Sequence, residues 1–134
     1  MHALPHVVTS PFHLGELDIT PLPVPHGTAT TLGFLFSQGG RKLLAYLNDC
    51  AAVPDAVRDA VAGVEALIID GLRDKPHPTH LTVAGAVEAA RAIGARQTFI
   101  THLTHEKNHV DRELGLPDGI RATYDGMKLE FELS

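Results

Sequence analysis

The sequence predicts an α/β domain, a mixed sheet with helices packed on it, and three observations predict it. Short apolar or alternating runs recur at "LDITPLPVPH", "TLGFLF", "RKLLAYL", "EALIID" and "QTFIT". The stretches between the later runs carry apolar residues at helical spacing. Residues suited to turns and caps, such as Gly39-Gly40, Thr82 and Gly94, punctuate the joins. With 134 residues, 44% of them hydrophobic, the chain has the length and apolar content of one core. No repeat, low-complexity tract or linker divides it, so residues 1–134 read as a single domain.

Residues 1–15 lack periodicity and read as a loose N-terminal arm. In "LDITPLPVPH", Leu17, Ile19, Leu22 and Val24 are apolar, while Pro21, Pro23 and Pro25 occupy every second position. Proline has no N–H for a ladder, so this is an edge strand. Two apolar runs around Gln38-Gly39-Gly40 form a hairpin, and the second, Leu43 to Leu47, is apolar on both faces and expected to be covered on both. Val53, Val57, Ala60, Val61 and Val64 follow at helical spacing, with Pro54 suited to a first turn. "EALIID" is a short buried strand. Thr82 caps the next helix, whose apolar stripe is Val83, Ala86, Val87, Ala90 and Ile93, and Gly94 ends it. "QTFIT" is another buried strand. Last, "GIRATYDGMKLEFEL" reads as a hairpin turning at Asp125-Gly126, with Leu129, Phe131 and Leu133 on one face.

Bulk properties exclude several function classes. A net charge of −5 disfavours nucleic acid as a partner, since a phosphate backbone selects for clustered Lys and Arg. No apolar run approaches the roughly 18 residues of a membrane span. The start, "MHALPHVVTSPFH", lacks the basic and apolar regions of a secretion signal, and a single cysteine suits a reducing cytoplasm. The unusual figure is nine His against two Tyr and no Trp. Imidazole is the commonest metal ligand and titrates nearest neutral pH.

The polar residues collect at strand ends. The first run ends in His26, "RKLLAYL" in Asn48-Asp49, "EALIID" in Asp70 and "QTFIT" in His102. Ligands of open α/β sheets bind outside the carboxyl ends of strands, and imidazoles with one or two carboxylates suit Zn²⁺ or Mn²⁺ better than Ca²⁺. Singly, each residue has a plainer reading. Asp49 organises a loop, Asp70 holds a turn or orients a neighbour, and His102 is a satisfied polar residue. His105 and His109 face solvent or brace the ligands, and Cys50 is a small buried side chain. His80, two residues before the cap Thr82, stands where backbone N–H groups favour an anion and where it can protonate a leaving group. In the plainer reading, His77 and His80 order a proline-rich loop.

The ordered segments "PLPVPHG", "AYLNDC", "ALIIDGLRDKPHPTHLTVAGAVEAA", "FITHLTH" and "YDG" resemble the C-terminal half of metallo-β-lactamase-fold hydrolases, in the branch of the cyclic-phosphate phosphodiesterases and tRNase Z. The resemblance runs from about Leu17 to Leu133. It implies half of an αββα sandwich, with His26 on one metal, Asp49 bridging two and His102 on the second. His80 would contact the scissile phosphate and assist the leaving group, with Asp70, His77 and His105 supporting the site or the substrate. The cofactor implied is divalent, Zn²⁺ or Mn²⁺ with Fe²⁺ also admissible, and the substrate a small phosphodiester or similar compound. The family's H-x-H-x-D-H motif is not in this sequence. A dinuclear site is therefore underfilled in one chain, and the expected partner is another copy or a separate N-terminal half. The alternative is a non-catalytic binding or assembly module that kept the fold and lost the dinuclear site.

Overall fold

A computed structural model of the chain describes residues 4, 8–104 and 108–132, and Leu114 by its backbone alone. Seven strands form one sheet in sequence order. These are β1 (Phe12–Leu14), β2 (Leu17–His26), β3 (Ala29–Gln38), β4 (Arg41–Leu47), β5 (Ala66–Asp70), β6 (Gln97–Thr101) and β7 (Ile120–Ala122). Neighbours from β1 to β4 are antiparallel, and those from β4 to β7 are parallel. The parallel connections carry α1 (Asp55–Val61), α2 (Val83–Ile93) and α3 (His109–Leu114). The mixed sheet with helices packed on it is the architecture the sequence predicts.

This topology has two consequences. Successive right-handed crossovers that all step the same way put their helices on one face of the sheet. On that face Leu22, Val24, Leu35, Ala45, Leu47, Leu67, Ile69 and Ile100 pack with Val57, Val61, Ala86, Ala90 and Ile93 as one core. Second, β2 is two antiparallel reversals from β4, so β2, β4, β5 and β6 all point their carboxyl ends to the same edge.

The opposite face is apolar, and among the described residues no helix packs on it. By register, Phe34 stands beside Tyr46, Phe36 beside Leu44, and Tyr46 beside Ile68. Tyr46 is 37% exposed, Leu32 40%, and Phe34, Phe36, Leu44 and Ile68 are half-buried. Leu43–Leu47 is therefore covered on one side only, against the expectation of two, because the three crossovers supply one helical layer.

Three local expectations meet the structure differently. β1 lies inside the segment expected to be a loose arm and pairs with Leu17–Ile19 alone, leaving the rest of β2 an edge. In antiparallel pairing alternate residues bond inward, so Pro21, Pro23 and Pro25 share the open side, where no N–H is needed. The C-terminal hairpin does not form. Tyr124 to Met127 turns as expected, but residues 127–132 run without a ladder. Leu129 and Phe131 are half-buried and Lys128, Glu130 and Glu132 exposed, so the alternation reports a surface being covered and not a strand. Arg41 secures this tail by bonding the Glu132 carbonyl while pairing with Glu65.

Gly71, just past β5, tests the tightness of the core: a Cβ there would collide with Ile100 Cγ2 and lie 3.4 Å from Ala86 Cβ. Gly71→Ala is expected to cost about 1–3 kcal/mol by overpacking, read as a lower urea midpoint at unchanged slope.

Candidate metal centre

His26 closes β2, and the chain leaves it through Gly27, whose φ is +63° and whose missing Cβ would stand 2.8 Å from Thr79 Cγ2. A side chain here would push away the loop that carries His77 and His80. Asp49 lies two residues beyond β4 with φ +54°, and His102 directly follows β6 with φ +64°. These are the two described non-glycine residues in the left-handed region, a conformation costing roughly 1–2 kcal/mol each. Such strain collects at functional sites because the surroundings over-determine it. At Asp49 the surroundings include Thr31 Oγ1, which donates to the Asp49 carbonyl at 2.9 Å.

Asp70, the last residue of β5, is fully buried. Its Oδ2 accepts from the Cys50 backbone N–H at 3.0 Å and meets His80 Nδ1 at 2.5 Å. With the Asp70 carboxylate ionised it can only accept, so the imidazole is the donor of the second bond and Nδ1 carries the proton. That tautomer leaves the lone pair on His80 Nε2. Burial pushes the Asp70 carboxyl upward, opposed by His80, the Cys50 amide and His102. Its Oδ1 has no hydrogen-bond partner among the described residues. The Cys50 thiol, pushed up to about 12 by burial and then by Asp70, is an inert packing group.

The imidazoles gather around His80. Its ring meets that of His26 edge-on at 4.9 Å and stacks on His102 at 4.4 Å, while His77 lies tilted at 5.1 Å. His102 Nδ1 is 3.2 Å from Asp49 Oδ1. Donor atoms of His26, Asp49 and His80 all lie within 4.8 Å of one another. The strand ends carrying His26, Asp49, Asp70 and His102 therefore do converge, and the loop before α2 delivers His80 into the same place. His77 sits at the border: its Nδ1 accepts from Thr79 N at 3.2 Å, and burial, then Arg73 and His80, lower its pKa. His109 opens α3 beside Glu113 and Tyr124, turned to local partners. His13 pairs with Asp18 on the exposed hairpin of β1 and β2. His2, His6 and His105 lie outside the described residues.

Sequence reasoning did not find the Cys50 amide, which ties β4's exit to Asp70, and no side-chain pattern reports a backbone donor. Nor did it foresee the backbone conformations, although Asn48-Asp49 is a pair tolerant of the left-handed region.

The model of the beta-lactamase superfamily domain matches residues 2–103, from ahead of β1 through His102. The chain belongs to that superfamily. Its fold is the metallo-β-lactamase fold. Among solved structures of the superfamily fold, a diphosphatase from the PhnP family aligns with 95% of this chain at 38% identity and a TM-score of 0.87. Human short-form tRNase Z aligns with 91% at 18% identity and TM-score 0.72. Zinc-bound PqqB from Methylobacterium extorquens aligns with 91% at 20% identity and TM-score 0.69. Among curated sequences, an octanoyltransferase of Porphyromonas gingivalis is 29% identical over 120 residues, 88% of this chain and 23% of its own. The chain thus spans about half of these solved chains, 45% to 53%, and under a quarter of that curated relative.

The superfamily typically holds divalent metal, and the residues present fit one. Two imidazoles and a carboxylate within mutual reach form a borderline donor set suited to Zn²⁺, Mn²⁺ or Fe²⁺. A buried carboxylate orienting one imidazole is the usual outer support of such a ligand.

The upward shift of Asp70 sets a pH dependence. A carboxyl whose folded pKa lies above its unfolded value contributes stability at low pH that is lost as pH rises through the folded value. Thermal midpoints of metal-free protein, taken from pH 4 to 7, should therefore decline more for the parent than for Asp70→Asn, which keeps an acceptor for Cys50 N but does not ionise. Parallel curves would contradict this account of the buried carboxylate.

Proposed function

We propose that the chain is part of a metal-dependent hydrolase of phosphodiester or related phosphate-ester bonds. The observation that carries this reading is the convergence of His26, Asp49, His80 and His102 on one sheet edge over buried Asp70. Likeness to a PhnP-family diphosphatase over nearly the whole chain supports phosphate-bond hydrolysis.

His26, Asp49 and His102 are the residues that would hold metal in the complete site. Bound there, divalent ions lower the pKa of water toward neutrality and offset charge on the phosphate oxygens. His80 faces the leaving group. With Nδ1 donating to Asp70, its Nε2 keeps the lone pair, and Asp70 stabilises the imidazolium that carries a proton to the departing oxygen. His77, neutral and tied to Thr79, borders the substrate space. Three or four protein donors fall short of two filled coordination spheres. The remaining donors belong to a partner that packs on the uncovered face of Phe34, Phe36, Leu44 and Tyr46, either a second copy or a polypeptide carrying H-x-H-x-D-H. A cytoplasmic setting fits one buried free cysteine.

Turnover of bis-p-nitrophenyl phosphate and of 2′,3′-cyclic nucleotides, with Mn²⁺ or Zn²⁺, tests this for the chain alone and mixed with the H-x-H-x-D-H polypeptide. Asp49→Ala should abolish activity with folding intact. His80→Ala should lose about 10²–10⁴-fold on the cyclic nucleotides, whose alkoxide needs a proton, and much less on the p-nitrophenyl ester. Absence of turnover in every combination would favour the binding or assembly module instead.

A further inference from the structure

We infer that Arg112, buried in α3, is a positioning residue for the proposed hydrolysis: its bond to Asp74 latches the loop that presents His80. The inference rests on the role proposed for His80, but the latch itself is readable without turnover.

The loop between β5 and α2 is closed on itself. Leu72 N donates to the Leu81 carbonyl and Val83 N to the Arg73 carbonyl, both at 3.0 Å, so its two ends run side by side. Arg73 braces the turn between them, with Nε and Nη2 donating to the Lys75 and Pro76 carbonyls. A compact loop whose ends are tied shifts as one piece. Asp74 lies just inside the closure, and His77 and His80 lie on the same loop, so a restraint at Asp74 is felt at the imidazoles.

Arg112 supplies that restraint from outside the loop. It is 5% exposed, and its Nη1 donates to Asp74 Oδ1 at 2.7 Å. Its Nη2, also buried, has no hydrogen-bond partner among the described residues. A guanidinium taken out of water depends on its carboxylate, because a buried charge left unpaired is costly. The Asp74 side chain, by contrast, is 50% exposed and water can serve it when the pair opens. The cost of opening therefore falls on Arg112, which makes α3 the fixed half of the latch.

α3 is also the helix that follows β6 and His102. Thr104 N, two residues past His102, donates to the Leu72 carbonyl at 2.9 Å. The stretch of chain leaving His102 thus grips the loop carrying His80 at two points, and the two rings stack with centroids 4.4 Å apart. Asp70 holds the His80 ring, while the latch holds the backbone from which that ring projects. Arg112 acts on the proton donor through Asp74 and has no need to touch the substrate.

Asp74→Ala and Arg112→Met test the latch, with Arg112→Lys as the conservative variant. On the purified chain, both of the first two should quicken amide hydrogen exchange about 10-fold or more at Leu72, Leu81 and Val83, and leave β3 and β4 at the parent's rate. With Mn²⁺ and the H-x-H-x-D-H polypeptide, kcat on 2′,3′-cyclic nucleotides should fall about 10–100-fold at little-changed KM. Bis-p-nitrophenyl phosphate, whose leaving group needs no proton, should change by less than about threefold. Arg112→Lys, which keeps a donor cation, should recover most of the ratio between the two substrates. If Arg112→Met does not fold, Asp74→Ala, at a half-exposed side chain, carries the test. Parent-like loop exchange in Asp74→Ala, or equal losses on the two substrates, would overturn the inference. A parent that turns over neither substrate removes the proposed hydrolysis, and the exchange rates then decide the latch alone.

Discussion

The structure is organised around one buried carboxylate. Asp70 ends a central strand in full burial and has to find donors there, because an unpaired charge in a dry interior is costly. It finds the Cys50 amide, from the chain leaving β4, and the His80 ring, from the loop approaching α2. Around these, Leu81 N donates to the Cys50 carbonyl, Leu72 N to the Leu81 carbonyl, and Ala51 N to the Pro25 carbonyl. Four separate stretches of chain are thereby cross-tied within a few residues of the site. The imidazoles stand on a platform whose position is set by hydrogen bonds to the main chain, the preorganisation that ligand and substrate geometry demand.

The fold supplies this platform through direction and handedness. Strands that share an orientation bring their carboxyl ends to one edge, so four short loops suffice to collect His26, Asp49, Asp70 and His102. The same crossovers leave the second sheet face bare. Site and uncovered face are thus two outcomes of one topology. The tail from Met127 to Glu132, anchored by Arg41, brings Phe131 to a recess that it lines with Leu17, Phe36, Leu43 and Leu44.

Much of this is legible in the sequence. The proline alternation in β2, the Thr82 and Gly94 caps and the β-strand runs all have local causes, and the helix caps appear as expected, with Thr82 Oγ1 accepting from Gly85 N at 2.9 Å. The strand-end rule likewise gathered His26, Asp49, Asp70 and His102. What failed had non-local causes. Alternation in "MKLEFEL" is a real period of two, but a ladder needs a neighbouring strand and none is presented. Leu43 to Leu47 is apolar on both faces, and that pattern does not report that the helices of the chain lie on one of them. The pairing of His80 with Asp70 joins residues ten apart through a loop whose path is set by Arg73, which bonds the Lys75 and Pro76 carbonyls. Sequence reasoning reached it only as a carboxylate that orients some neighbour.

The costs built into the site bear on which reading of the chain is physically reasonable. A desolvated carboxylate and two left-handed residues together consume several kcal/mol, against a net stability that in small domains is about 5–15 kcal/mol. An assembly module that needed only the sheet face would be more stable with Asn at position 70, glycine at 49 and 102, and no cluster of imidazoles repelling one another on protonation. A working centre needs all of these expenses, because an oriented tautomer, an outward-aimed carboxylate and closely set rings are what a cation and a phosphate ester require. The strain therefore weighs toward chemistry at this edge of the sheet.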